Sequence, residues 1–451
     1  VTEFVHSHPG GASVILRNAG KDVTNIYAPV HPPNAIQDNL DPSACIGAID
    51  PSTIKHVQAA EESAGERKRR EARENLPPLG TILCLDDFER VAKSILSEQA
   101  WAYYSSAGDD EITMSQNRAS FNRVWFRPRI LRKIGSVDSS TSLLETSRSE
   151  AVRSSLPLYI SPAAMAKLGH PDGELNLTRA AGKTGIIQGI SANASVSLDE
   201  MLDARKEGQA VIYQLYVNKD RAASEKILAK VERKGCNAVF LTVDAPVMGK
   251  REKDMRAKGE EVQTGGGHGA GSGGGGVAAA ISGYIDPDLS WEDLEWFRKS
   301  CKLPLFLKGV QTVEDVELAV KYGVNGVVLS NHGGRSLDFA PPAMDVLIEL
   351  RQRRPDLFDK IEIYVDGGVR RGTDVLKAVA LGAKAVGLGR PFLYAQSGYG
   401  EAGVLRAVEI LEDEIHRGMR LLGVKSLSEL TPDMVDILPR TYYPQPKVDS
   451  Q

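Results

Sequence analysis

Eight short apolar runs recur between Leu156 and Pro391. They are Leu158–Ile160, Gly185–Gln188, Val211–Leu215, Ala238–Val243, Leu305–Leu307, Gly326–Leu329, Ile361–Val365 and Ala385–Leu388. Each is too short for a helix and predominantly apolar, the signature of a buried strand. Segments such as Thr312–Tyr322 and Thr373–Leu381 lie between them with apolar residues at helical spacing. Alternation of this kind predicts parallel strands joined by crossover helices. Eight such units predict an α/β chain closed into a (β/α)8 TIM barrel, in which the working side chains stand at the C-terminal ends of the strands. Read in order, the residues at or just beyond those ends are Ser161, Ser191, Tyr216, Asp244, Lys308, His332, Asp366 and Arg390. Nearly every run stops on a polar or ionisable group.

The rest of the 451 residues divides around this pattern. Residues 1–50 read as a small unit of their own. Residues 51–77 read as a charged linker, with Glu66-Arg67-Lys68-Arg69-Arg70-Glu71 on a solvated helix or hinge that Pro77-Pro78 ends. Residues 78–440 hold the barrel, and 441–451 form a tail. Inside the barrel domain, glycines crowd residues 257–280, which predicts a mobile surface loop. No strand leads into that loop and no Lys-Ser/Thr follows it, so the glycines read poorly as a phosphate cradle.

Composition narrows the partners. Lys+Arg number 55 against 59 Asp+Glu, for a net charge of -4, which gives no basic bias toward nucleic acid and no polybasic membrane patch. Cys45, Cys84, Cys236 and Cys301 are scattered without a CxxC and are expected as the reduced thiols of an intracellular protein. No apolar run is long enough to span a bilayer, and no signal peptide opens the chain.

The chemistry gathers in Ser330-Asn331-His332-Gly333-Gly334-Arg335, directly after a buried run. An imidazole there can take a proton near neutral pH, and a guanidinium can hold a carboxylate by two parallel hydrogen bonds. The alternative is a polar loop whose His bonds locally. Asp244 can pair with His332 and favour its protonated form, or cap a helix. Lys308 closes a buried strand and needs an anion: a reduced flavin ring, a neighbouring Asp, or a Schiff-base partner in another kind of barrel. Asp366-Gly367-Gly368-Val369-Arg370-Arg371-Gly372 and Gly387-Leu388-Gly389-Arg390-Pro391 close runs seven and eight, where barrels bind phosphate. Tyr103 and Tyr216 can hydrogen-bond a substrate, whereas Tyr104 is expected to pack. His8 and His31, each followed by Pro, can supply both axial ligands of a haem iron or sit at the surface.

From about Leu76 to Arg440 these motifs resemble the FMN-dependent L-2-hydroxy acid dehydrogenases and oxidases. Ser330–Arg335, Asp366–Gly372 and Gly389-Arg390-Pro391 carry the likeness. Residues 1–50 resemble a cytochrome b5-like α+β haem-binding domain through His8-Pro9-Gly10-Gly11, Ala19-Gly20-Lys21-Asp22 and His31. A haem domain ahead of an FMN barrel is similar to the cytochrome-linked members of that family. The resemblance implies oxidation of a small L-2-hydroxy acid, L-lactate foremost, by FMN, with electrons passing through haem b to cytochrome c. The alternatives are an oxidase of the glycolate or mandelate type that reduces O2, and a non-catalytic flavin- or haem-binding protein.

The resemblance also assigns roles. His332 is the base and Asp244 its partner. Arg335 and Tyr103 bind the substrate carboxylate, Tyr216 steadies the substrate oxygen, and Arg251 is a second cation nearby. Lys308 stabilises the reduced flavin. Ser191, Gln214, Thr242 and Ser330 belong to the flavin site. Asp366, Gly368, Arg370, Gly389 and Arg390 hold the ribityl phosphate, and His8 and His31 ligate haem iron. A homo-tetramer in the mitochondrial intermembrane space is implied, with the cytoplasm as the alternative location. Two departures stand out. The haem domain lacks the strand and helix that normally precede Val1-Thr2-Glu3-Phe4, and Asn193 replaces a bulky apolar or aromatic residue that contacts the substrate side chain.

Overall fold

The structure, a computed structural model, describes residues 62–145, 150–258 and 283–439, with scattered positions between 15 and 47. Eight strands form one closed parallel barrel. In chain order they are β1 (Leu158–Ile160), β2 (Ile187–Ser191), β3 (Val211–Leu215), β4 (Ala238–Thr242), β5 (Leu305–Val310), β6 (Gly326–Leu329), β7 (Glu362–Asp366) and β8 (Ala385–Leu388). Each strand pairs with the next, and β8 closes onto β1 through Val386–Leu388 against Leu158–Ile160.

The predicted runs and the strands differ where a local feature outweighs hydropathy. Gly185 does not open β2; it adopts φ +75 and caps the helix Glu174–Thr184, so the strand starts at Ile187 and ends on Ser191. β5 does not stop at Leu307 but continues through Lys308 to Val310, because the barrel interior accepts the charge.

Side chains alternate faces along a strand, and this alternation builds the site. Tyr159, Ile212, Phe240, Phe306, Val328 and Tyr364 form one interior cluster, joined by Leu143 and Leu144. Tyr159, Phe240, Phe306 and Tyr364 meet ring to ring at 5.1–6.2 Å. Two residues further along the same face stand Ser161, Gln214, Thr242, Lys308, Ser330 and Asp366. The period that fills the lower barrel with aromatic side chains therefore delivers a ring of polar groups at its C-terminal rim. The intervening residues, such as Leu215, Leu241, Leu307, Leu329 and Val365, pack outward in the main hydrophobic core with the surrounding helices.

Three helices before the barrel, Leu85–Ile95, Glu98–Ser105 and Ile112–Ala119, lie ahead of β1, and Arg390–Leu422, two helices joined at a kink at Gly400, follow β8. The charged linker contains a helix, Ala64–Glu74, opened by a Ser63–Glu66 capping box. Of the residues 257–280 expected in a loop, the first two are helical. Ala257 and Lys258 complete the helix Glu252–Lys258, where Lys258 pairs with Asp254 at 2.8 Å; residues 259–280 lie outside the described residues. The 441–451 tail lies outside them too. Among the described residues no helix is long and apolar enough to cross a membrane.

Candidate active site

His332 sits just past β6 with φ +60, a left-handed conformation uncommon for a residue with a side chain. Gly333 and Gly334 continue it at φ +65 and +78. A Cβ on Gly334 would stand 2.7 Å from the Met114 backbone nitrogen. The absence of a side chain at Gly334 thus lets the backbone close on the protein's own helix Ile112–Ala119. Asn331 and Asn117 lock the same contact by exchanging amide hydrogen bonds of 2.8 and 2.7 Å. Asp338 accepts from the Thr113 N–H at 2.7 Å.

This clamp aims the imidazole. His332 Nδ1 lies 2.9 Å from Asp244 Oδ1, and Nε2 lies 3.3 Å from the Tyr216 hydroxyl. Asp244 has no N-cap role; it is the partner of His332. A carboxylate accepts only, so it holds Nδ1 as the N–H and leaves Nε2 as the basic nitrogen of the neutral ring. Burial raises the Asp244 carboxyl, but the charges of His332 and Lys308 outweigh it and hold the group below the usual carboxylate range. Burial and the Asp244 carboxylate push the Tyr216 phenol far up, so it remains a hydroxyl.

Lys308 is 4% exposed. Its Nζ is 3.3 Å from Asp366 and 3.3 Å from Ser330 Oγ. Burial disfavours the ammonium, yet Asp366 and Asp244 together raise the group above its ordinary value. Beside it, Gln214 donates to Thr242 Oγ1 at 2.8 Å, and Ser191 Oγ lies 3.4 Å from Gln214 Oε1.

The cationic side is crowded. The cationic heads of Arg251, Arg335 and Lys258 lie 5.0, 5.2 and 5.7 Å from the centre of the Tyr103 ring. Burial and the neighbouring guanidiniums of Arg251 and Arg390 push Arg335 down to about 9. A guanidinium does not surrender its proton in a protein; burial is the main cause of the depression, and the buried carboxylate of Asp254 is shared between Arg251 at 3.4 Å and Lys258 at 2.8 Å, so the cations outnumber it.

Four residues expected at anions make contacts within the protein. The carboxylate of Asp366, expected at a phosphate, pairs with Lys308; a carboxylate repels a phosphate, so Asp366 suits ammonium or hydroxyl partners instead. Arg335 donates to the carbonyls of Tyr103, Tyr104 and Ser106. Arg390 donates to those of Tyr104, Ser106 and Gly333. Both guanidiniums thus rest on backbone oxygens of residues 103–106. Arg370 pairs with Glu89 at 2.8 Å, and its Nη1, 3.7 Å from Asp86, makes no hydrogen bond among the described residues. Tyr104 packs, as expected, with its hydroxyl on the Met165 carbonyl at 2.8 Å.

One cavity of about 810 Å³ is lined by Tyr103, Ser191, Gln214, Tyr216, Thr242, Arg251, Lys308, His332, Arg335, Asp366, Gly368, Arg370, Gly389 and Arg390, among others. The expected residues of the barrel therefore converge, with Asp244 behind His332 and Ser330 behind Lys308. His8 and His31 lie outside the described residues. Pattern reading missed Asn117, Asp338 and Glu174. Glu174, only 2% exposed, accepts from Ala166 N, Ser195 N, Ser195 Oγ and Val196 N at 2.7–3.1 Å and fixes the loops after β1 and β2. Nothing in the local sequence marks these residues, since their partners are remote in the chain.

The residues fit a flavin mononucleotide. The cavity is of ligand size. One end offers the amide, hydroxyl and ammonium groups of Ser191, Gln214, Thr242 and Lys308. The other offers the glycine turns after β7 and β8 and the unsatisfied Nη1 of Arg370. Fold and site together define a barrel flavoenzyme acting on small carboxylic acids.

The chain belongs to the FMN-dependent dehydrogenase family, whose model matches residues 92–437. Residues 1–50 match the cytochrome b5-like heme/steroid binding domain. FMN is thus the cofactor of the barrel, and a haem-binding domain precedes it. The chain is 47% identical to an L-lactate dehydrogenase (cytochrome) of Wickerhamomyces anomalus over 442 residues, covering 97% of this chain and 75% of that one. It is 38% identical to 2-hydroxyacid oxidase 1 of Homo sapiens over 369 residues, covering 79% of this chain and 97% of that one. Among solved structures, the flavin-binding domain of baker's yeast flavocytochrome b2 is similar at TM-score 0.75 and 47% identity, covering 83% of this chain and 92% of that one.

Proposed function

We propose that this protein oxidises an L-2-hydroxy acid, L-lactate foremost, to the 2-oxo acid and delivers the electrons to cytochrome c. The observation that carries the reading is the His332–Asp244 pair facing a cationic cluster in the cavity that also holds Lys308. Arg335, with Tyr103 and Arg251, binds the substrate carboxylate; the shortage of negative charge around Arg335 favours such an anion. His332 Nε2 takes a proton from the bound acid, and Asp244 stabilises the imidazolium that results. Tyr216, kept protonated, donates to the substrate oxygen. FMN supplies the acceptor for the two electrons, and the haem of residues 1–50, held by His8 and His31, the exit toward cytochrome c. Lys308 places a buried positive charge where negative charge arrives on reduction. Ser191, Gln214, Thr242 and Ser330 hold the flavin ring, and Gly368, Arg370, Gly389 and Arg390 its phosphate.

In the same reading the chain works in the mitochondrial intermembrane space as a homo-tetramer. Its similarity to fungal cytochrome-linked relatives is compatible with that location. The test is His332→Gln, which is expected to retain FMN and lose flavin bleaching by L-lactate. Normal bleaching in that variant would remove His332 as the base. Stoichiometric peroxide without cytochrome c reduction would move the protein to the oxidase class.

A further inference from the structure

The chain between the short strand Val124–Phe126 and Asp138 projects from the molecule. At its apex Ile130 is 81% exposed and Leu131 98%. One apolar side chain in water is ordinary, but two in succession held this far out mark a contact surface. Leu131 adopts φ +59, uncommon for a residue with a side chain. The projection is firmly based. Arg127 N donates to the Met434 carbonyl at 2.8 Å, Arg129 N to that of Leu422 at 3.1 Å, and Asp138 N to that of Lys425 at 2.7 Å. Gly423, at φ +77, allows the junction, since a Cβ there would stand 2.2 Å from the Arg129 carbonyl oxygen. The apex is therefore preorganised and loses little freedom on contact. Leu421, 70% exposed, adds apolar surface beside the junction.

Cations surround the apolar pair. Arg129, Arg132 and Lys133 are exposed and make no ion pair among the described residues, and the same holds for Arg420 and Lys425 at the junction. Most carboxylates of this end are engaged. Asp436 lies 3.8 Å from Arg127 and Asp413 2.9 Å from Arg417. Asp138 accepts from Ser140 N at 2.9 Å and Glu429 from Lys425 N at 3.2 Å, while Asp433 stands free. The net charge of -4, which argued against a polybasic membrane patch, averages over the whole chain and hides this local cluster. The projection also lies away from the active site. Ser139, at its base, donates to the Ser155 carbonyl at 3.3 Å, just ahead of β1 and so at the N-terminal side of the barrel, whereas His332 stands at the C-terminal rim.

We infer that this end docks reversibly on an anionic phospholipid surface, with Ile130 and Leu131 entering the acyl boundary and Arg129, Arg132 and Lys133 meeting the headgroup phosphates. A bilayer offers both partners at once, an apolar interior under a negative surface. A convex apex with unpaired cations on either side of its apolar pair suits that layered partner better than a protein interface, whose core is depleted of charged residues. Docking there leaves the cavity open to solvent. The inference adds to the proposed reaction and does not depend on it.

The test is co-sedimentation of the FMN-loaded full chain with vesicles of phosphatidylcholine, or of equimolar phosphatidylcholine and phosphatidylglycerol, with light scattering of the protein alone. Partition onto the anionic vesicles is expected to be about a hundredfold stronger, on the order of fivefold per cation, and to fall with added salt. Ile130→Ser with Leu131→Ser keeps the charges; Arg129→Gln with Arg132→Gln and Lys133→Gln keeps the apolar apex. Each set is expected to weaken that partition roughly tenfold or more, with bound flavin unchanged. Equal partition onto both vesicles, or partition unmoved in both variants, overturns the inference. So does a wild-type assembly that falls to smaller species in the serine variant, which would make the apex a contact between copies of the chain.

Discussion

Replacing Asp244 by Asn tests the core of the site. The carboxylate is fully enclosed, and Oδ1 lies 2.9 Å from His332 Nδ1. Spread over both groups, the two charges that form when His332 takes a proton are about 4 Å apart. At an effective dielectric of about 20 this is worth about 4 kcal/mol. Asn has nearly the same shape and removes that charge. Its amide can also turn an N–H toward Nδ1, which puts the ring proton on Nε2, the wrong nitrogen for a base. The expected loss is a factor of about 10^3 in the rate of flavin reduction. Anaerobic stopped-flow with saturating L-lactate measures it, with flavin absorbance before mixing confirming that FMN is still bound. Slowing by less than about tenfold, in a variant that binds FMN normally, would refute the assignment of Asp244 as the stabiliser of the imidazolium.

Other expectations follow from the same geometry. Arg335→Lys loses the planar fork and is expected to weaken L-lactate binding by about 1–3 kcal/mol, seen as a higher KM; an unchanged KM would show that the Arg335 contacts to residues 103–106 are its whole role. Lys308 has a raised native pKa, so its stabilisation is complete below the unfolded value of about 10.4 and lost as pH rises through the native one. The Tm gap between wild type and Lys308→Met should therefore close above about pH 10.4, and a gap constant through that range would contradict the buried ion pair. Gly368 has φ +82, and a Cβ there would stand 2.1 Å from the Asn117 carbonyl oxygen. Gly368→Ala is accordingly expected to lower stability by more than about 2 kcal/mol in denaturant titration; an unchanged midpoint would count against the tight junction between this turn and the helix Ile112–Ala119.

Much of the site was legible because one rule generates it. A strand buried on both faces reads as an apolar run, and its first polar interior residue marks the rim. Ser161, Ser191, Lys308 and Asp366 follow that rule, whereas Gln214, Thr242 and Ser330 were reached only through the family resemblance. It failed at boundaries where hydropathy is silent, as at Gly185, whose backbone geometry rather than its polarity ends a helix. It was silent on Asn117, Asp338 and Glu174, because a residue that braces a loop by long-range hydrogen bonds carries no periodic signal. It also left open what Arg335, Arg390 and Asp366 touch: charge is visible in a sequence, but whether a guanidinium meets a carbonyl or an anion depends on folding of the segment 103–106 across the barrel mouth.

The most direct measurement is the visible spectrum of the purified full chain, recorded without oxygen before and after addition of L-lactate. The account predicts bound flavin that bleaches on mixing, followed by the sharp bands of reduced haem where the haem domain is loaded. A spectrum with bound flavin that no small L-2-hydroxy acid alters would contradict it.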